Sequence, residues 1–365
     1  MTMQKLTMEY EQMPPTQVAT TSPATFIDTL NNIAKGVFGD FPPELSQLLS
    51  KSGLYLMIAT TDGSSIRSVV YENGSFKENA DQFGSDVLYS YSPNLKNVVF
   101  FVIPAEKKAN DTRNWEEKKA DYSNALWTEQ ATLFSTTIGS TTPTIADALG
   151  QAITVGTPVI EYKELPVISN SGEMLFVGWD KSYVPSIENA ESWSIYKMVE
   201  GEPVFMVHGF NPVWTSDGNV LYLKNDGIYE TDAQFSSSTK IASTDSSQKG
   251  HSDERIALSS DMIHLAWMRP EQSKVLSFSK NTAGLFEKQN EYSAVGFQIL
   301  FSPDNRYLAL QTQVGHAAQA GESLSSKIEF FNLFSSSSAP EGEVILDMFG
   351  HLPIRLVNWI TSFNP

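Results

Sequence analysis

The 365-residue sequence contains no cysteine. Disulfides, thiolate nucleophiles and cysteine-ligated zinc or iron–sulfur sites are thereby excluded. No stretch approaches the run of about 18 apolar residues that crosses a bilayer as a helix. Basic residues are scarce: 25 Lys and Arg stand against 42 Asp and Glu, a net charge of −17. Phosphate backbones and anionic lipid surfaces are held by clustered Lys and Arg. Neither nucleic-acid binding nor direct membrane insertion is therefore expected. The opening MTMQKLTMEYEQMPPTQ lacks the apolar core of a signal peptide. There is no Gly-x-Ser-x-Gly elbow, His-Glu-x-x-His helix, phosphate loop or dinucleotide fingerprint. Of the acidic turns, Asp62-Gly63 and Asp217-Gly218 lack the dense oxygen spacing of a calcium loop, and Asn225-Asp226-Gly227 reads as a hairpin turn. No cofactor and no metal is expected.

What is present is enough apolar matter for a core: 41% hydrophobic and 11% aromatic residues. Residues 1–21, rich in Thr, Pro and Gln, read as a flexible tail. SPATFIDTLNNIAKG reads as a helix, with Ser22 as cap, Pro23 in the first turn and Gly36 as stop. Phe26, Ile27, Leu30, Ile33 and Ala34 give it one apolar stripe. A second short helix is expected from Pro43 to about Ser50. Residues 22–49 thus form a helical extension, expected to pad the outside of the domain that follows. From about residue 50 the pattern becomes strands and turns.

That region repeats itself. YSPNLKNVVFFV begins at Tyr91, ISNSGEMLFVGW at Ile168, WTSDGNVLYLKN at Trp214, LSSDMIHLAWMR at Leu258 and FSPDNRYLALQT at Phe301. Each has an apolar or aromatic residue, then Ser or Thr, then turn formers. Six residues after the Ser or Thr stands Val98, Leu175, Leu221, Leu265 or Leu308. Two further strand candidates follow each copy, such as GIYETD and TKIAS after Trp214. The unit is therefore four strands, repeated at intervals of 43 to 77 residues, the period of propeller blades.

The signature resembles the WD-repeat-like motif of TolB-like β-propellers, in which an aromatic precedes Ser-Pro-Asp-Gly and an apolar strand. The resemblance spans roughly residues 50–365. It departs from true WD repeats, since none of the third strands ends in Trp-Asp. An all-β fold follows, with six blades, seven being the alternative. The sixth blade is assembled from both ends: HLPIRLVNWITSFNP supplies a first strand, at about residues 352–360, for the strands in LSKSGLYLMIATTDGSSIRSVVYENG. An unfilled place would leave open sheet edges.

Long insertions mark the second-to-third-strand connections: IPAEKKANDTRNWEEKKADYSNALW, DKSYVPSIENAES and QVGHAAQAGESLSSK. Function concentrates in long loops on rigid scaffolds. Trp115 lies in the first insertion, and Trp179 and Trp193 bracket the second. His208, His251 and His351 fall at blade-to-blade links, on the same face as the insertions in a propeller. These six residues are the candidate binding set. No catalytic residue is assigned. His264, inside a strand, reads as a packed residue. The sequence thus favours a non-catalytic binding or scaffold propeller that holds a protein or glycan. It would act as a monomer or within an envelope assembly. The acidic, Ser/Thr-rich composition points to a periplasmic or cell-surface setting. The alternative is a lactonase-, hydrolase- or lyase-like enzyme at the channel mouth, supported by the histidine placement.

Overall fold

The computed structural model describes residues 28, 31, 41–59, 66–72, 75–78, 89–94, 96–102, 132–137, 153–154, 162–179, 193–243, 254–294, 296–314, 325–345 and 354–361. Among them, regular structure is almost entirely strand. The strands form six four-stranded antiparallel sheets. Sheet I holds β4 (Tyr89–Tyr91), β5 (Asn97–Val102), β6 (Thr132–Thr137) and β7 (Ile153–Thr154). Sheet II holds β8 (Tyr162–Ile168), β9 (Met174–Trp179), β10 (Trp193–Val199) and β11 (Glu202–His208). Sheet III holds β12 (Phe210–Trp214), β13 (Val220–Lys224), β14 (Gly227–Thr231) and β15 (Ser238–Ser243). Sheet IV holds β16 (Arg255–Leu258), β17 (His264–Arg269), β18 (Lys274–Lys280) and β19 (Phe286–Ser293). Sheet V holds β20 (Gly296–Phe301), β21 (Tyr307–Val314), β22 (Ser325–Asn332) and β23 (Gly342–Ile345). Sheet VI joins β24 (Ile354–Thr361) to β1 (Ser52–Ala59), β2 (Ile66–Glu72) and β3 (Ser75–Glu78), in that order. Consecutive strands meander through every sheet except the last, which is the strand plan of a β-propeller.

The chain divides into two compact parts, Ala80–Phe301 and the combination of Met1–Asn79 with Ser302–Pro365. In the first part, the leading strands lie side by side: β4 against β8, β8 against β12, β12 against β16, and β16 against β20. The inner strands are covered on both faces and read as apolar runs. In β13, Val220 to Leu223 are all buried; the outer β19, FEKQNEYS, buries only Phe286 and Tyr292. Neighbouring sheets pack on large side chains. Phe210, Leu223, Trp267, Leu276 and Phe278 share one cluster. Leu175, Ile195, Trp214 and Tyr222 share another.

The repeated signature has a single physical job. Ser92, Ser169, Thr215, Ser259 and Ser302 are all buried. Each hydroxyl oxygen accepts a backbone N–H four or five residues on: Asn97 at 3.0 Å, Glu173 at 2.8 Å, Asn219 at 2.8 Å, His264 at 2.8 Å and Tyr307 at 2.9 Å. Four of the hydroxyls donate to a side chain two residues on: Asn94, Asp217, Asp261 or Asp304. The turn is thus satisfied from within. Ser302→Ala should cost about 1–3 kcal/mol, because the buried Tyr307 N–H loses its acceptor. Ser302→Thr should be near neutral, as Thr215 fills the same role. Thermal melting of the two variants checks this.

In the second part, β24 pairs antiparallel with β1 from Ser52↔Thr361 to Ile58↔Ile354. Helix α1 (Pro43–Leu49) buries Leu45 and Leu49. Phe41, just before it, meets Phe330 of β22 edge-on at 5.8 Å. Gly342 of β23 leaves room for this contact, since a Cβ there would stand 2.5 Å from the Phe41 ring. Asn31 caps β3, accepting from the Phe76 N–H at 2.5 Å and donating to the Phe76 carbonyl at 3.0 Å. The expected tail of residues 1–21 lies outside the described residues.

Candidate functional site

In Ala80–Phe301 the first-to-second turns bond to one another. The Asn94 N–H donates to Asn170 Oδ1 at 2.9 Å, and Asn170 Nδ2 donates to the Ser216 carbonyl at 3.1 Å. The signature ends of sheets I, II and III are therefore gathered together. The sheet-to-sheet links and the second-to-third connections leave from the other end of each sheet, as antiparallel alternation requires. This second end carries the densest chemistry among the described residues.

The register of sheet IV builds its centre. Folding the hairpin at Ser259 sets Leu258 opposite Leu265, Ile256 opposite Trp267 and Arg255 opposite Met268. One step further brings Glu254 to Arg269. Arg269 Nε donates to Glu254 Oε1 at 2.9 Å, with both side chains 4% exposed. Trp267 Nε1 donates to Glu254 Oε2 at 2.7 Å. The Arg269 guanidinium lies over the Trp267 ring, 4.9 Å from its centroid. Arg269 Nη2 is buried with no hydrogen-bond partner. Beside it, Arg255 lies over the Phe210 ring at 5.4 Å and donates to the Glu254 carbonyl at 2.9 Å. The Ile256 N–H donates to Asn211 Oδ1 at 2.8 Å, tying β16 to β12.

A second group surrounds the β13–β14 turn. Tyr229 donates to Asp226 Oδ1 at 3.0 Å, Lys240 pairs with Asp226, and Lys224 lies 5.0 Å from the Tyr229 ring centroid. The hydrogen bond to Asp226 raises the pKa of Lys240, while burial and Asp226 raise that of Tyr229. Both therefore keep their protons at neutral pH, and the Asp226 carboxylate between them, its pKa lowered by the Lys240 and Tyr229 hydrogen bonds against the effect of burial, stays ionised. Of the cations in these two groups, Arg255, Lys224 and Lys240 are half-buried and lie near aromatic rings, whereas Arg269 is buried with Glu254 and Trp267. Among the described residues, no three His, Asp or Glu side chains gather as a metal would require. Among them also, no helix is long and apolar enough to cross a membrane.

The residues singled out by sequence are distributed differently. Trp193 is 4% exposed and packs on Phe210 with ring centroids 5.2 Å apart, as part of the core. His208 is the last residue of β11, so the link itself is Gly209. A Cβ at Gly209 would stand 2.7 Å from the Tyr222 ring and 2.8 Å from the Leu223 carbonyl, which keeps this link short. His208 is half-buried, with Nδ1 3.1 Å from Ser194 Oγ and its ring against Phe205. His264 opens β17 and places Nδ1 3.1 Å from Ser279 Oγ. Trp179 is the last residue of β9. Trp115, His251 and His351 lie outside the described residues, as do residues 103–131, 180–192 and 315–324. Sequence reasoning missed Glu254, Arg255, Asn211 and Arg269. Counting back from the Ser259 turn would have set Glu254 against Arg269.

No family model matches the chain, and no curated protein matches it. Among solved structures, the periplasmic gluconolactonase of Pseudomonas aeruginosa is similar at 13% identity, covering 84% of this chain and 99% of that one, with a TM-score of 0.46. A protein assigned as TolB from Agrobacterium tumefaciens is similar at 12% identity, covering 84% and 98%, with a TM-score of 0.41. A chain of the nidogen/laminin complex is similar at 10% identity, covering 84% and 98%, with a TM-score of 0.48. Likeness at this level decides nothing about activity, and the fold rests on the order of strands in the sheets.

Proposed function

We propose that the chain is a binding module of the TolB-like propeller kind, which holds a protein or glycan partner in a periplasmic or cell-surface setting. The observation that carries this reading is the separation of the two sheet ends in Ala80–Phe301. One end is closed by short turns that bond to each other through Asn94, Asn170 and Ser216. At the other end, β5 and β6 are joined through residues 103–131 and β9 and β10 through residues 180–192, and the half-buried Arg255 stands at the corresponding end of sheet IV. Stiff sheets that carry long connections on one side are suited to display a recognition surface without moving it.

The test is a capture experiment with the intact chain and with a version whose residues 103–131 are replaced by a short Gly/Ser link. Loss of a specific partner, with melting unchanged, is the expected result. Equal capture by both proteins overturns the assignment to this end. A screen of lactones and glycans runs in parallel with metal analysis. Turnover, or a bound metal lost on replacing His208, His251 and His351, would replace the binding reading with an enzymatic one.

A further inference from the structure

We draw no further inference here: the strongest candidate, the side-chain cluster of Glu254, Trp267 and Arg269 at the end of sheet IV, belongs to the site already described, and its unpartnered Arg269 Nη2 is buried where nothing in the structure shows a ligand reaching it.

Discussion

Replacing Glu254 with alanine is expected to destabilise the protein by about 3–5 kcal/mol, because one partner of a buried ion pair is removed and the other stays. The wild-type carboxylate accepts from Arg269 Nε at 2.9 Å and from Trp267 Nε1 at 2.7 Å. Both donors are buried. Without Glu254 the guanidinium is left uncompensated where water does not reach, and the indole N–H loses its acceptor. Arg269 Nη2 is already unpartnered, so the residue has little reserve. Glu254→Gln should fall between, since the amide oxygen still accepts one of the two donors. The double variant Glu254→Leu with Arg269→Met should recover most of the loss, because an apolar pair carries no desolvation penalty. Urea midpoints for the wild type, Glu254→Leu, Arg269→Met and the double variant form a double-mutant cycle. Additive losses in the double variant would show that the pair does not act as a unit.

That pair also marks where sequence reasoning stops. The Ser-x-Asp turns were legible because each is local: Ser302 reaches Asp304, Arg306 and Tyr307. The strand plan was legible because buried strands such as β13 and β17 are continuous apolar runs between those turns. Glu254 and Arg269 look like ordinary charges at the two ends of a hairpin. Only the register, set at Ser259, brings them together. A second recurrent device was equally hidden. Asp232 Oδ1 accepts from the Gln234 and Ser236 N–H groups, Asn281 Oδ1 from Ala283 and Leu285, and Asn332 Oδ1 from Phe334. These residues shape the third-to-fourth turns of sheets III, IV and V. The turns differ in length and composition, so no shared string betrays them. Trp193 misled for another reason: next to an insertion it resembles a binding residue, yet every residue of β10 from Trp193 to Met198 is buried.

Removal of residues 354–365 should prevent the part formed by Met1–Asn79 and Ser302–Pro365 from folding stably. β24 is the first strand of sheet VI, although it comes last in the chain. It buries Leu356 and Trp359. Trp359 Nε1 donates to Ser52 Oγ at 2.8 Å across 307 residues of sequence, and its ring meets Phe330 at 5.3 Å. The Leu356 N–H donates to Gln311 Oε1 at 2.6 Å, and Gln311 is fully buried. Truncation therefore removes two large core residues, takes the Leu356 donor away from Gln311 Oε1 and exposes β1 as a bare edge. A buried Trp-to-Ala change alone costs about 3–5 kcal/mol, against a total stability of about 5–15 kcal/mol for a typical domain. Trp359→Ala should accordingly lower the unfolding midpoint sharply. Trp359→Phe should cost about 1 kcal/mol, since Ser52 Oγ keeps its bond to the Leu48 carbonyl at 2.8 Å and loses only the indole donor. The truncated chain should scatter light on concentration, because an exposed strand edge templates further pairing. If it stays monomeric and melts like the parent, β24 contributes little and the pairing of the two chain ends is dispensable.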